Sequence, residues 1–125
     1  MIANHQLQTD LAAVDAVMRS AICCRNQELQ QSIDRLLAKP GKLVRPTVVL
    51  LAARCLANPL VTDRLYRGAA AIELLHVATL VHDDIIDQAV VRRGQPTVWA
   101  GHGTRAAVLI GDLLFATAFS LISDL

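Results

Sequence analysis

Aromatic side chains are scarce in this sequence: two Phe, one Trp and one Tyr in 125 residues. What fills the apolar fraction instead is Ala, Leu and Val, a composition that suits packed helices better than a sheet sandwich. A surplus of one charge is also missing, since twelve Lys and Arg stand against eleven Asp and Glu for a net charge of +1. That balance gives no global field for nucleic acid or an anionic membrane, so any electrostatic function is local. Cys23, Cys24 and Cys55 are an odd number without metal-ligand spacing; they read as small apolar side chains in a reducing compartment. The polar start, MIANHQLQTD, has no signal-peptide core. The longest apolar runs, TVVLLAA and AAVLIG, are too short to cross a bilayer. The expectation is a soluble, cytoplasmic protein with no transmembrane segment.

No internal repeat, low-complexity tract or long linker is present, and no alternating strand pattern exceeds a few residues. The punctuation falls at KPGK (39–42), NP (58–59) and RRGQP to GHGT (92–104). Between these marks the apolar spacing is helical. Leu7, Leu11, Val14 and Met18 form one stripe, and Leu29, Ile33, Leu36 and Leu37 another. Helices are expected over about 44–57, with Pro46 tolerated in the first turn, and over about 62–87, with Thr62 or Asp63 as N-cap. A last helix is expected over 104–124, capped by Thr104. The fold class is all-α, a helical bundle, and 125 residues suffice for one domain with a modest core. The last helix is apolar nearly all round, from Leu109 and Ile110 to Phe119 and Ile122. Such a helix wants neighbours on every side, which points to a larger protein or a second chain.

Three of the nine aspartates fall within five residues, in LVHDDIIDQAVVRRG at 80–94. Asp83 and Asp87 are four apart and share one helix face, about 5–6 Å apart at Cβ. Two carboxylates so placed repel each other unless a cation lies between them. Oxygen-only ligands suit Mg²⁺, which keeps waters and reaches for substrate phosphates. Asp84, turned away by about 100°, would serve as a supporting or edge ligand. His76 lies two turns before Asp83, about 10 Å along the axis, and shares that face. His82 is out of register and reads as structural. Arg92 and Arg93 follow the helix, and guanidinium groups bind diphosphate through forked hydrogen bonds. Acids and bases can thus share one anionic ligand with metal between them. A second basic knot is PGKLVRP (40–46), where Lys42 and Arg45 stand three apart at a helix start and can face one anion.

GKLVRP, ELLHVATLVHDDIID and RRGQPT, in that order and spacing, resemble the trans-isoprenyl diphosphate synthases, or polyprenyl synthetases, over about residues 35–125. The resemblance implies the N-terminal part of the isoprenoid synthase fold and a Mg²⁺-dependent prenyltransferase. Asp83 and Asp87 would hold Mg²⁺ on an allylic diphosphate with Asp84 in support, and Arg92 would bind that same diphosphate. Lys42, Arg45, His76 and Arg93 would bind isopentenyl diphosphate. Small residues at Ala78 and Thr79, where bulky aromatics form a floor in short-chain enzymes, resemble the medium- and long-chain enzymes. Family members are usually dimers, so a homodimer or a heteromer with another helical chain is expected. Two departures stand out. Leu43 occupies a position that is usually basic, and nothing after Asp87 can form the family's second aspartate-rich motif. The chain is therefore expected to be the N-terminal portion of such an enzyme, incomplete at its C-terminal end.

Two other readings compete. A metal-dependent HD phosphohydrolase would use the doublet His82–Asp83, but its further His and Asp have no good candidates, since His5 is near a terminus and His76 is on the same helix. An accessory helical subunit would bind diphosphate or a partner without catalysis.

Overall fold

The computed structural model describes residues 2–38, 41–56, 63–123 and 125. Among these residues, five helices and one short hairpin follow in chain order: α1 (Ile2–Ala21), α2 (Gln27–Ala38), α3 (Val44–Arg54), α4 (Asp63–Ile86), β1 (Val91–Arg92), β2 (Gln95–Pro96) and α5 (Val98–Ser123). The all-α expectation holds. The stripe on α1 turns Val14 and Met18 fully inward and packs Leu7 and Leu11 at its edge, while α2 buries Ile33 and Leu37. Asn26 caps α2, its Oδ1 accepting from the Leu29 amide at 3.1 Å. Helix α3 starts after Leu43, whose φ of 50° lies in the left-handed region, and keeps Pro46 in its first turn. It ends at Arg54, three residues earlier than the apolar pattern suggests, with Cys55 as C-cap. The Thr62 cap lies outside the described residues.

α4 is the central helix. It presents Ala69, Ala70, Ala71, Leu74 and Ala78 with no exposed surface, and small side chains let neighbours approach closely. Its main partner is α5, against which it packs along its length. At Gly111 on α5 a Cβ would collide with the His82 ring of α4. His82 holds that contact with Nε2 3.2 Å from the Val108 carbonyl oxygen and 3.6 Å from Asp112, its ring 5.6 Å from that of Phe115. The structural role expected for His82 is what the structure shows.

Three polar groups fasten the other side. Asp10 on α1 is 5% exposed and accepts hydrogen bonds from Arg54 on α3 and from the Tyr66 hydroxyl on α4 at 2.7 Å. That hydrogen bond, with burial next, pushes the Tyr66 phenol above its ordinary 10.0.

The last helix departs from expectation. It begins at Val98 rather than Thr104 and runs to Ser123, broken at Gly103, where φ is 88°. Its cap is Thr97: Oγ1 accepts from the Ala100 amide at 3.0 Å and donates to the Ala89 carbonyl at 2.6 Å. Thr104 instead accepts from Trp99 Nε1 at 3.1 Å. Taken whole, α5 is long and apolar enough to cross a membrane by length and composition, with a mean hydropathy of 1.9 over its best window. Counting uninterrupted apolar runs misses this, because Gly111, Asp112 and Thr117 divide the helix without making it polar. Its buried positions, Ala107, Ile110, Gly111, Leu114, Ala118 and Leu121, are the face set against α4 and the core. Leu109, Phe119 and Ile122 are exposed. Cys23 and Cys55 are exposed and Cys24 is half-buried, all three as free thiols.

Candidate functional site

The three clustered aspartates divide by one helical step. Asp83 and Asp87 are exposed and stay one turn apart because the Asp87 amide donates to the Asp83 carbonyl at 2.8 Å, just past the end of α4. Asp84 is turned inward and 5% exposed. A carboxylate buried there needs a partner, and Arg92 supplies it through a forked pair: Nη2 to Oδ1 at 2.7 Å and Nε to both oxygens at 3.0 and 3.2 Å. The Asp84 hydrogen bond raises the Arg92 guanidinium above its ordinary value. The expectation that Asp84 serves as an edge ligand and Arg92 faces a diphosphate thus meets a structure in which the two are bonded to each other. Asp83 and Asp87 have no ion pair among the described residues. Two exposed carboxylates of this kind fit an octahedral Mg²⁺ that keeps most of its waters. No cluster of three His, Cys, Asp or Glu side chains able to hold a metal occurs among the described residues.

A two-residue loop, Arg93–Gly94, closes the hairpin immediately after Arg92. Arg93 (φ 51°) and Gly94 (φ 75°) both have positive φ, the geometry of a tight turn whose twist matches the flanking strands. The register pairs Val91 with Pro96 and Arg92 with Gln95. Arg92 therefore reaches back to Asp84, and Arg93 reaches to the segment before α3. Its guanidinium lies against Gly41, where a Cβ would come within 2.5 Å of it. Only glycine gives the arginine that seat.

There, at the N-terminus of α3, lies a cavity of about 360 Å³ lined by Gly41, Lys42, Leu43, Val44, Arg45, Glu73, His76 and Arg93. The four residues expected to share one anion are brought together here from three elements. His76 is pushed below its ordinary 6.5, first by burial and then by the Arg45 charge. The site so carries three permanent cations and a histidine that resists becoming the fourth. Amides at the start of α3 add to the positive potential. A second cavity of about 170 Å³ lies between α2, α4, the hairpin and the start of α5, and it shares Gly41, Glu73, His76 and Arg93 with the first.

The product-length candidates separate. Ala78 has no exposed surface and belongs to the core. Thr79 is exposed, its hydroxyl donating to the His76 carbonyl at 2.6 Å. Neither lines either of these two cavities. Glu73, one turn before His76 and on the wall of both cavities, is not among the residues that the sequence pattern singles out. Its position in ELLH, one turn from a candidate histidine, is the available signal.

Fold and site together define a helical protein with an acidic mouth at the end of one helix and a cationic anion pocket two turns away. Residues 26–125 match the model of the polyprenyl synthetase family, and the chain belongs to that family. It is 42% identical over 119 residues to heptaprenyl diphosphate synthase component 2 of Geobacillus stearothermophilus, covering 95% of this chain and 37% of that protein. The crystal structure of heptaprenyl diphosphate synthase from Staphylococcus aureus superimposes with a TM-score of 0.88 at 32% identity, over 94% of this chain and 37% of that one. A polyprenyl synthase from Caulobacter crescentus CB15, crystallised with calcium and isoprenyl diphosphate, gives 0.87 at 32% identity, over 96% and 36%. The chain spans little more than a third of the length of these relatives.

Proposed function

We propose that this chain supplies one wall of a prenyltransferase site that joins isopentenyl diphosphate to an allylic diphosphate. The observation that carries the reading is the convergence of Lys42, Arg45, His76 and Arg93 on one cavity, two helical turns from an exposed carboxylate pair. The cationic cavity takes the diphosphate of isopentenyl diphosphate. Asp83 and Asp87 would hold Mg²⁺, which would stabilise negative charge on the departing allylic diphosphate. The allylic carbon–oxygen bond breaks and the diphosphate leaves. The double bond of isopentenyl diphosphate forms the new carbon–carbon bond, and loss of one proton restores neutrality at carbon. The apolar faces of α4 and α5 exclude water, which would quench the cation. Arg92 steadies the loop through Asp84 and is near enough to answer a ligand at the acidic mouth.

A medium- or long-chain product follows from the small, exposed Thr79 on the aspartate side of α4, whereas Ala78 faces the core. Assembly as a homodimer or with another helical chain would cover Leu109, Phe119 and Ile122, and the G. stearothermophilus relative is itself called a component. The experiment is prenyltransfer from labelled isopentenyl diphosphate to an allylic primer with Mg²⁺, product extracted and sized. Extractable product that falls at least about a hundredfold in Asp83→Ala is the expected result. No product from a folded chain that binds isopentenyl diphosphate would favour the second reading, an accessory subunit that binds without turning over. That reading draws on the exposed apolar residues of α5, Leu109, Phe119 and Ile122, which a partner chain would cover.

A further inference from the structure

Glu73 is 6% exposed, and its Oε2 is buried without a hydrogen-bond partner. It stands on the wall of both cavities. An ionised carboxylate can only accept hydrogen bonds, and leaving a buried acceptor unpaired is costly. The groups facing it from the surrounding elements are Lys42 and Arg45 before and in α3, Arg92 and Arg93 on the hairpin, Arg35 on α2, His102 on α5, and His76 and Asp84 on α4. Asp84 and Arg92 are already spent on each other. The cationic members draw an anion in, and every oxygen of a fully ionised diphosphate is an acceptor too. Two acceptors facing each other in one pocket repel unless a hydrogen lies between them.

Resting on the diphosphate reading above, we propose that Glu73 is a ligand-contacting residue that shares one proton with a terminal oxygen of the bound diphosphate. The O–H···O⁻ bond so formed gives the buried carboxylate a partner and belongs to the short, charge-assisted class. The three permanent cations offset the charge that remains. The pocket thereby selects an anion able to carry a proton over one of similar charge that is not.

The test is calorimetric titration of the chain with isopentenyl diphosphate, without metal or allylic partner so that no reaction occurs. It is run at about pH 8, above the ordinary histidine range, in two buffers of unlike ionisation enthalpy. The native chain is expected to take up about one proton per ligand, and its affinity to fall about tenfold per pH unit above the ligand's last ionisation. Glu73→Gln, which keeps the shape and can donate from its amide, is expected to bind with no proton uptake and a flat pH profile. His76→Asn is expected to bind more weakly but still take up the proton. Helix content by circular dichroism confirms that each variant is folded. Undiminished uptake in Glu73→Gln, its loss in His76→Asn, a folded Glu73→Gln that does not bind, or native binding without uptake would each overturn the inference. Native binding without uptake leaves the prenyltransferase reading standing, whereas no binding by the native chain would remove both.

Discussion

Asp10 and Glu73 are carboxylates of almost equal burial, 5% and 6% exposed, and the fold treats them in opposite ways. Asp10 has its guanidinium and its phenol, one from α3 and one from α4. Glu73 has an oxygen without a hydrogen-bond partner among the described residues. The contrast separates a polar group that fastens helices together from one left without a partner on the wall of two cavities. A buried charge that the chain has satisfied is structural; one left unsatisfied on the wall of a pocket waits for something from outside.

The contrast is open to attack in order of size. Asp10→Ala leaves Arg54 and Tyr66 without their acceptor, and urea unfolding is expected to show a loss of about 3 kcal/mol. Glu73→Gln removes a buried charge without a bonded partner, so the same measurement is expected to show a stability unchanged or raised by up to about 1 kcal/mol. A loss in Glu73→Gln comparable to that in Asp10→Ala would dissolve the distinction. The smallest effect concerns the histidine beside Glu73. Because its folded value lies below the ordinary 6.5, the unfolded chain binds more protons in the window below 6.5. The stability that neutral His76 contributes is therefore present above about 6.5 and lost as pH falls through that window. Imidazole resonances are expected to place His76 below 6.5, and Arg45→Ala to move it upward.

A finer version of the same contrast lies inside the DDIID run. Neighbours in sequence, Asp83 and Asp84 face solvent and interior respectively, and only the second is held by an arginine. Helical spacing by itself makes the shared face of Asp83 and Asp87 legible. It also shows that position 84 points elsewhere, but not that Arg92 is what it meets, because a tight turn with two positive φ values brings the chain back. The α1 and α2 stripes are legible for the same reason, since local period and burial agree at Val14, Met18, Ile33 and Leu37. The start of α5 is not. GHGT reads as a turn, yet the helix has already begun at Thr97–Val98, and one glycine at positive φ breaks it without ending it. The Asp10 fastening joins residues 44 and 56 positions apart, a distance at which periodicity carries no information. Ala78 stands out through resemblance alone, and the helix turns it into the core. The cationic pocket is half legible: spacing places Lys42 beside Arg45, and the resemblance adds His76 and Arg93. The acid among them has only its place one turn before His76 to announce it.

The fork between Arg92 and Asp84 carries a thermodynamic consequence for recognition. A long side chain normally forfeits rotational freedom when it clasps a ligand, at roughly 0.5–1.5 kcal/mol for each such group. At Arg92 that ordering has already taken place during folding, because the fork to Asp84 holds its guanidinium by three hydrogen bonds. Arg93, exposed although its guanidinium lies against Gly41, and Lys42, exposed beside it, have their freedom still to lose. Of the hairpin's two cations, Arg92 is the one whose entropy is settled before a ligand arrives.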